Sequence, residues 1–139
     1  MSTYVPDANV VVRWFVQENL HQAAERLLST PQEFVGPDFI QTEILNTFLK
    51  KLRQGDMSEA HVRDAMAELR GRFRLVPSDP FISEATELGI RYRRSAFDGV
   101  YLLVARDSSC RWVTADRAAY DALATDFRDY VLWVEDIPA

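Results

Sequence analysis

The chain has 139 residues, of which 27% are charged and 47% are hydrophobic, a composition typical of a folded globular protein and not of an intrinsically disordered one. Its net charge of −5 argues against broad, sequence-independent binding to nucleic acid, which usually relies on a strongly basic surface. Cys110 is the single cysteine, which excludes an internal disulfide and a cysteine-rich zinc site. We expect one compact domain over residues 1–139, located in the cytoplasm, without a secretion signal or a membrane span.

The first half of the chain predicts two strands and three helices from the spacing of its apolar residues. In chain order these are a strand at 4–5, a helix at 10–15, a helix that Asn19 caps and residues 29–31 end, a strand at 33–36, and a helix that Pro37 and Asp38 open. Asn19 qualifies as a cap because its side-chain oxygen can accept a hydrogen bond from a free backbone N–H. The last of these helices repeats an apolar residue every four positions until Gly55, so one of its faces should pack on the core.

The second half continues the alternation of strands and helices. The predicted elements are a helix that starts within 56–59 and ends before Gly71, a strand at 73–76, a helix that Asp79 and Pro80 open and that ends near Tyr92, a helix from Ser95 containing the apolar run 100–105, a strand at 112–114, a helix at 117–124 and a strand at 131–134. This alternation predicts a parallel sheet covered on both faces, a three-layer α/β/α fold. Ligands of such sheets bind beyond the carboxyl ends of the strands, where the strand order reverses.

Four acidic residues stand out by their position in this scheme. Asp7 and Asp116 follow predicted strands, whereas Glu43 and Asp98 lie on helices that should pack near the same edge of the sheet. Each Asp also has a simpler interpretation as a helix cap, and Ser95 with Asp98 has the spacing of a capping box. Glu43 fits capping least well, because it lies within a helix beside an apolar face, where an unpaired carboxylate is costly.

If the four carboxylates converge, they need a positive charge. Two carboxylates about 4 Å apart repel each other by about 4 kcal/mol at an effective dielectric constant of about 20. Ligand sets made only of oxygen favour Mg²⁺ or Mn²⁺ over zinc or copper. A metal-dependent nuclease is therefore the leading hypothesis, and it agrees with the scarcity of histidine, since His21 and His61 both lie away from these acids.

The segments around the four acids resemble a known family. They read PDANVV around Asp7, IQTEILN around Glu43, FDGVY around Asp98 and VTADR around Asp116. In order and spacing they resemble the motifs of PIN-domain ribonucleases. Over nearly its full length the chain is similar to a VapC-type toxin, the nuclease half of a bacterial toxin–antitoxin pair.

The resemblance implies a function, a metal site and partners. It makes Asp7, Glu43, Asp98 and Asp116 the ligands of one or two Mg²⁺ or Mn²⁺ ions, with supporting roles for the polar residues Asn9 and Thr114. The implied reaction is hydrolysis of RNA by a water that the metal activates. The implied partners are a second copy of the chain in a homodimer and a cognate antitoxin whose tail lies across the active-site groove. We hypothesise that a basic side chain of this tail enters the acidic pocket.

Two other functions compete with this interpretation. A PIN-like module that binds RNA or protein without cutting is one alternative, and the presence of all four acids speaks against it. A phosphorelay receiver also has an acidic pocket on a doubly wound sheet. It requires a lysine after a late strand, however, and the chain's two lysines, Lys50 and Lys51, both lie on a predicted helix.

Several further residues have open roles at this point. Arg13, one turn beyond Asp7, either contacts a phosphate or pairs with an acid. Asp121 is either an outer member of the acidic site or a surface residue. The aromatic pair Trp14 and Phe15 suits the core or a subunit contact better than base stacking. Basic residues form three groups, which either follow a phosphate backbone or are solvated helix ends: 50, 51 and 53; 70, 72 and 74; and 91, 93 and 94.

Overall fold

The computed structural model describes residues 1–29 and 31–138. The strands in this part of the chain are β1 (Ser2–Pro6), β2 (Gln32–Pro37), β3 (Phe73–Val76), β4 (Arg111–Thr114) and β5 (Val131–Trp133). The α-helices are α1 (Ala8–Val12), α2 (His21–Glu25), α3 (Ile40–Arg53), α4 (Glu59–Leu69), α5 (Ile82–Tyr92), α6 (Ala96–Asp107) and α7 (Arg117–Phe127). Short 3₁₀ segments lie at Arg26–Leu28, Asp79–Phe81 and Val134–Asp136.

All five strands run parallel in one sheet of order β3-β2-β1-β4-β5. The central strand β1 pairs with both of its neighbours, so that Tyr4 lies opposite Phe34 on β2 and Arg111 on β4. The chain builds the sheet outward from β1 in one direction and then returns to add β4 on the other side. The strand order therefore reverses between β1 and β4, and a ligand site is expected at the carboxyl ends of these two strands.

Helix α6 is the most buried element of the helical layers. Its residues from 99 to 105 are all buried, as its nearly continuous apolar sequence predicts. It packs closely on α5, since a Cβ atom at Gly99 would lie only 3.2 Å from the Cβ of Ala85. Together with the parallel sheet and its flanking helices, this packing confirms the predicted three-layer α/β/α fold. None of the helices in the described part of the chain is long and apolar enough to cross a membrane.

The start of α2 differs from the prediction. Asn19 is not the N-cap, because Leu20 occupies that position in the left-handed region (φ 71°) and no side chain caps the helix. The backbone carbonyl of Asn19 instead accepts a hydrogen bond of 2.7 Å from Nε of Arg13. Residue type alone therefore placed the cap one position too early. Of the predicted helix stop at 29–31, Thr30 lies outside the described residues.

Two other helix starts were placed too early by the sequence. Pro37 is the last residue of β2, and α3 begins at Ile40, after a turn in which the N–H of Asp38 donates to the carbonyl of Val76. Asp79 and Pro80 form a 3₁₀ turn ahead of α5 rather than its first α-helical turn. Proline tolerates both arrangements, because its fixed φ suits the end of a strand as well as the first turn of a helix.

Candidate functional site

A cavity of about 300 Å³ opens where the strand order reverses, and all four predicted acids line it. Asp7 follows β1, Asp116 follows β4, Glu43 lies in the first turn of α3, and Asp98 lies in the first turn of α6. The other lining residues are Ala8, Asn9, Val12, Arg13, Glu18, Thr47 and Lys51. Residues far apart in the sequence therefore meet in what is called here the acidic cavity.

Asp7 is the most buried of the four acids, with 8% of its surface exposed. Both of its carboxylate oxygens accept hydrogen bonds: Oδ1 from the backbone N–H of Asn9 (3.1 Å) and Oδ2 from the indole Nε1 of Trp112 (2.9 Å). Burial nevertheless raises the pKa of Asp7 to about 7, and the nearby charges of Glu43 and Asp98 act in the same direction. Asp7 is thus both the cap of α1 and a carboxylate that needs a further positive charge to stay ionised at neutral pH.

Glu43 is bound by a tyrosine that the sequence analysis did not single out. The hydroxyl of Tyr101 donates to Oε1 of Glu43 (2.6 Å) and accepts from the backbone N–H of Ala8 (3.2 Å). Burial raises the pKa of Glu43 despite this hydrogen bond. The ring of Tyr101 stacks on Trp112, with centroids 5.9 Å apart and planes 11° from parallel. One buried aromatic pair thus holds the carboxylates of Glu43 and Asp7, and no local pattern in the sequence marks these long-range contacts.

Asp98 and Asp116 share a guanidinium. Nε of Arg94 donates to Oδ2 of Asp98 (3.0 Å), and Nη2 of Arg94 donates to Oδ2 of Asp116 (3.3 Å). Arg94 is placed beside α6 by a turn in which Arg93 adopts a left-handed conformation (φ 56°). Burial still raises the pKa of Asp98, although Arg94 opposes this shift. Arg94 was noted in the sequence only as one of a basic group, and its four-residue spacing from Asp98 was the available signal.

The capping interpretation is correct for Asp116, whose side chain accepts a bond from the N–H of Ala119 (3.2 Å) at the start of α7. At the start of α6, Ser95 is the cap and accepts from the N–H of Asp98 (3.2 Å), but the carboxylate of Asp98 accepts from Arg94 and completes no capping box among the described residues. Capping occupies one oxygen of Asp116, while its other oxygen contacts Arg94. Capping and membership of the acidic cavity are therefore compatible.

Asn9 and Thr114 both act on the loop that follows β4. Oδ1 of Asn9 accepts from the N–H of Ala115 (3.1 Å), and Oγ1 of the fully buried Thr114 accepts from the N–H of Asp116 (3.1 Å). Neither contact joins the two residues to an acidic side chain. They fix the backbone that carries Asp116.

The donor set of the acidic cavity suits a hard divalent cation, because it consists of four carboxylates. Burial raises the pKa of three of them, so a nearby positive charge would stabilise their ionised forms. The side chains are not in a ligating arrangement, however. Within residues 1–29 and 31–138, no group of three or more His, Cys, Asp or Glu side chains lies close enough to hold a metal ion. Arg94 supplies the positive charge for two of the acids, so a cation bound by all four would have to displace it.

The residues with open roles are placed as follows. Arg13 lines the acidic cavity but pairs with Glu18, at 3.9 Å, rather than with any of the four acids. Asp121 lies outside the cavity and pairs with Arg117 on the exposed face of α7. Trp14 and Phe15 pack on core phenylalanines, Phe34 and Phe48 respectively, as the preference for a core role predicts.

Comparisons with known proteins agree with this fold. A model of the PIN domain matches residues 4–124. Ribonuclease VapC3 of Pyrobaculum aerophilum is 25% identical over 116 residues, which cover 81% of this chain and 88% of that protein. The crystal structure of PAE2754 from Pyrobaculum aerophilum has a TM-score of 0.70 at 18% identity and covers 97% of this chain and 93% of its own. A chain in a toxin–antitoxin complex from Klebsiella pneumoniae has a TM-score of 0.64 at 17% identity, with coverage of 99% and 100%.

Proposed function

Because the chain belongs to the PIN domain family, we propose that it is a metal-dependent endoribonuclease and the toxin of a type II toxin–antitoxin pair. The observation that carries the proposal is the convergence of Asp7, Glu43, Asp98 and Asp116 in one cavity at the reversal of the strand order. The likeness to Ribonuclease VapC3 supports RNA as the substrate. A fold of this kind hosts many activities, so the site, and not the fold, carries the assignment.

The four acids would hold one or two divalent cations, with Mg²⁺ or Mn²⁺ favoured by their oxygen-only ligands. When bound, such a cation supplies Lewis-acid activation of the hydrolytic water and offsets negative charge on the phosphate. The residues of the chain prepare this site by holding carboxylates in place. Tyr101 and Trp112 orient Glu43 and Asp7 through direct hydrogen bonds from their O–H and N–H groups.

Protonation and ion pairing set the conditions for cation binding. With a pKa of about 7, Asp7 releases its proton near neutral pH, so a cation and a proton compete for this carboxylate. Arg94 competes for Asp98 and Asp116. Occupation of the site therefore requires loss of the proton from Asp7 and withdrawal of one guanidinium, and both changes should be measurable.

RNA cleavage by purified protein with Mg²⁺ tests the proposal directly. We expect defined RNA ends from the native chain and their loss in the Asp98→Asn variant. Asp121→Asn is the matched control, because Asp121 is an exposed acid that pairs with Arg117 outside the cavity. An identical pattern of ends from native protein and the Asp98→Asn variant would refute the assignment and favour the alternative, a PIN-like module that binds without cutting.

The proposed partners are a second copy of the chain and an antitoxin. The similarity to a chain of a toxin–antitoxin complex supports the antitoxin. We expect a basic antitoxin side chain to enter the acidic cavity, because the cavity already accommodates the guanidinium of Arg94 between two acids. Equal antitoxin binding by native protein and by a variant with alanine at all four acids would show that this contact does not contribute.

A further inference from the structure

We propose that Lys51 and Arg13 form a phosphate-binding subsite beside the acidic cavity, which Glu18 closes when RNA is absent. This inference rests on the proposed ribonuclease function and adds to it a position for the RNA backbone. The three residues are called here the Glu18 rim. All three line the acidic cavity, although none belongs to its four acids.

Helix α3 carries Lys51 on the face that bears Glu43. Glu43, Thr47 and Lys51 all line the acidic cavity, and their spacing of four residues places them on one face of the helix. The separation of eight positions between Glu43 and Lys51 corresponds to about 12 Å along the helix axis. Lys51 is therefore placed for a phosphate next to the one at the acids, and not for the scissile phosphate itself.

Both cations of the rim are largely buried. Only 16% of the Lys51 side chain and 19% of the Arg13 side chain are exposed, which is unusual for cations and costly unless they are paired. Within the described residues they share Glu18 as a partner, whose Oε2 lies 2.8 Å from Nζ of Lys51 and whose Oε1 lies 3.9 Å from Nη1 of Arg13. Two cations against one carboxylate leave an excess positive charge at the edge of an acidic cavity.

Both cations of the rim have unused hydrogen-bond donors. An ammonium has three donors, and among the described residues Lys51 uses one of them, on Glu18. Arg13 donates from Nε to the carbonyl of Asn19 (2.7 Å) and from Nη1 to the carbonyl of Asn9 (2.6 Å). Those two bonds hold the guanidinium rigidly, and no bond from its Nη2 occurs within the described part of the chain. Free donors on a fixed cation suit phosphate oxygens.

A second hollow extends the cavity past the rim. Lys51 and Glu18 line both spaces, and the second one continues along Phe15, Val16, Gln17, Asp56 and His61. In the proposed arrangement, a strand of RNA whose scissile phosphate lies at the acids passes Lys51 and enters this hollow, since Lys51 and Glu18 line both spaces. A phosphate on that path has to displace the carboxylate of Glu18, since both compete for the same ammonium.

The simpler interpretation is that Lys51 only complements the dipole at the end of α3. Lys50 and Arg53 lie in the same last turn and have that role available to them as well. Lys50 is exposed and outside both spaces, so it provides a matched control for net charge and for the helix dipole.

The experiment measures binding apart from cleavage. A short fluorescein-labelled single-stranded RNA of mixed sequence is titrated with native protein and with the Lys51→Ala, Lys50→Ala and Glu18→Gln variants in EDTA, over a range of salt concentrations. We expect Lys51→Ala to weaken binding about tenfold, as loss of a charged hydrogen bond predicts, and to reduce the salt slope by about 0.7. Lys50→Ala should stay within about twofold of native protein. Glu18→Gln should bind RNA more tightly.

Each result bears on the subsite separately from the nuclease assignment. Equal affinities for Lys51→Ala and Lys50→Ala, or weaker binding by Glu18→Gln, would overturn the subsite even if the native chain cuts RNA with Mg²⁺. If the variants differ in binding as expected but native protein with Mg²⁺ cuts no RNA, the subsite is supported and the nuclease function is refuted. Thermal melting of each variant checks folding, and Glu18→Gln gives a prediction of opposite sign that a general loss of stability does not produce.

Discussion

Two arginine–carboxylate contacts at opposite ends of α6 show how surroundings decide the role of an ion pair. Near the end of α6, Arg106 binds Glu84 of α5 with two hydrogen bonds of 2.7 Å, and this exposed pair lowers the pKa of Glu84. At the start of α6, Arg94 contacts Asp98, yet the pKa of Asp98 is raised. In the second case, burial and a neighbouring acid raise the pKa of Asp98 by more than Arg94 lowers it. Arg106 therefore compensates the charge of Glu84, whereas Arg94 does not fully compensate the charge of Asp98.

The difference separates a structural contact from a candidate functional one. An exposed bidentate pair gains little from a further ligand, because water and the partner already compensate both charges. Of the four acids of the cavity, Asp98 and Asp116 pair with Arg94, while burial raises the pKa of Asp7, Glu43 and Asp98, so a divalent cation has much to gain there.

Matched glutamate substitutions should give the largest contrast. Glu43→Gln removes a carboxylate of the acidic cavity, and we expect Mg²⁺-dependent RNA cleavage to fall by about a hundredfold to a thousandfold, as for loss of one essential electrostatic contact. Glu84→Gln removes a carboxylate of the exposed pair and should leave the rate unchanged. Initial rates on one labelled RNA check both variants. Equal rates for Glu43→Gln and Glu84→Gln would contradict a catalytic role for the cavity.

The dependence of stability on pH should differ in sign between the regions. The pKa of Asp7 rises from 3.8 to about 7 on folding, so its contribution to stability is full below about pH 4 and is lost as the pH rises through 7. The loss is on the order of 4 kcal/mol without metal. Glu84, whose pKa is lowered, contributes in the opposite sense, since its share is lost as the pH falls below 4.5.

Urea unfolding from pH 4 to 8 in EDTA, for native protein and Asp7→Asn, measures the first of these contributions. The asparagine variant should lose the larger part of the decline in stability between pH 4 and 7, and a smaller part should remain because the pKa values of Glu43 and Asp98 are raised as well. It should also be weakened at every pH, because its single side-chain oxygen cannot accept from both Asn9 and Trp112. A decline of undiminished size in the variant would assign the titration to another group.

Removal of Arg94 should improve metal binding. In Arg94→Ala, Asp98 and Asp116 lose the cation that competes with a metal, so we expect Mn²⁺ to bind about tenfold more tightly by calorimetry, in line with one charged contact. The metal-free variant should melt earlier than native protein and recover more on addition of Mn²⁺. Unchanged or weaker Mn²⁺ binding would show that Arg94 does not compete with the ion.

The smallest effect is expected for the exposed pair itself. Arg106→Ala should reduce the free energy of unfolding by less than about 1 kcal/mol, because both partners are solvated. Its Mn²⁺ affinity should equal that of native protein, which makes it the control for Arg94→Ala. Chemical denaturation gives the free energy of unfolding, and calorimetry on the same preparation gives the Mn²⁺ affinity. A change in the Mn²⁺ affinity of Arg106→Ala would contradict the independence of the two ends of α6.

The alternation of elements and the fold class could be predicted because they depend on local periodicity. The strand at 73–76 was located to the residue, and the helix expected to end near Tyr92 ends at that residue. The predicted cap of α2 was wrong because Leu20, in a left-handed conformation, occupies the N-cap position. Residue type alone does not encode a backbone turn of this kind.

The acids of the cavity could be selected from the sequence, but not the side chains that hold them. Trp112 binds Asp7 from 105 positions away, and Tyr101 binds Glu43 from 58 positions away. Such contacts depend on how α6 and β4 pack, which no motif encodes. The sequence distinguishes Lys51 from Lys50 only through its spacing from Glu43 and Thr47 on α3, and the packing of that helix decides that this face borders the cavity.

The central claim is that four carboxylates act together on one divalent cation. Anomalous diffraction from a crystal soaked in Mn²⁺ tests it most directly. We predict a Mn²⁺ peak in the acidic cavity with carboxylate oxygens of Asp7, Glu43, Asp98 or Asp116 at about 2.0–2.2 Å, and with Arg94 withdrawn from Asp98. A cavity that stays without a peak at saturating Mn²⁺, with Arg94 still joining Asp98 and Asp116, would contradict the account.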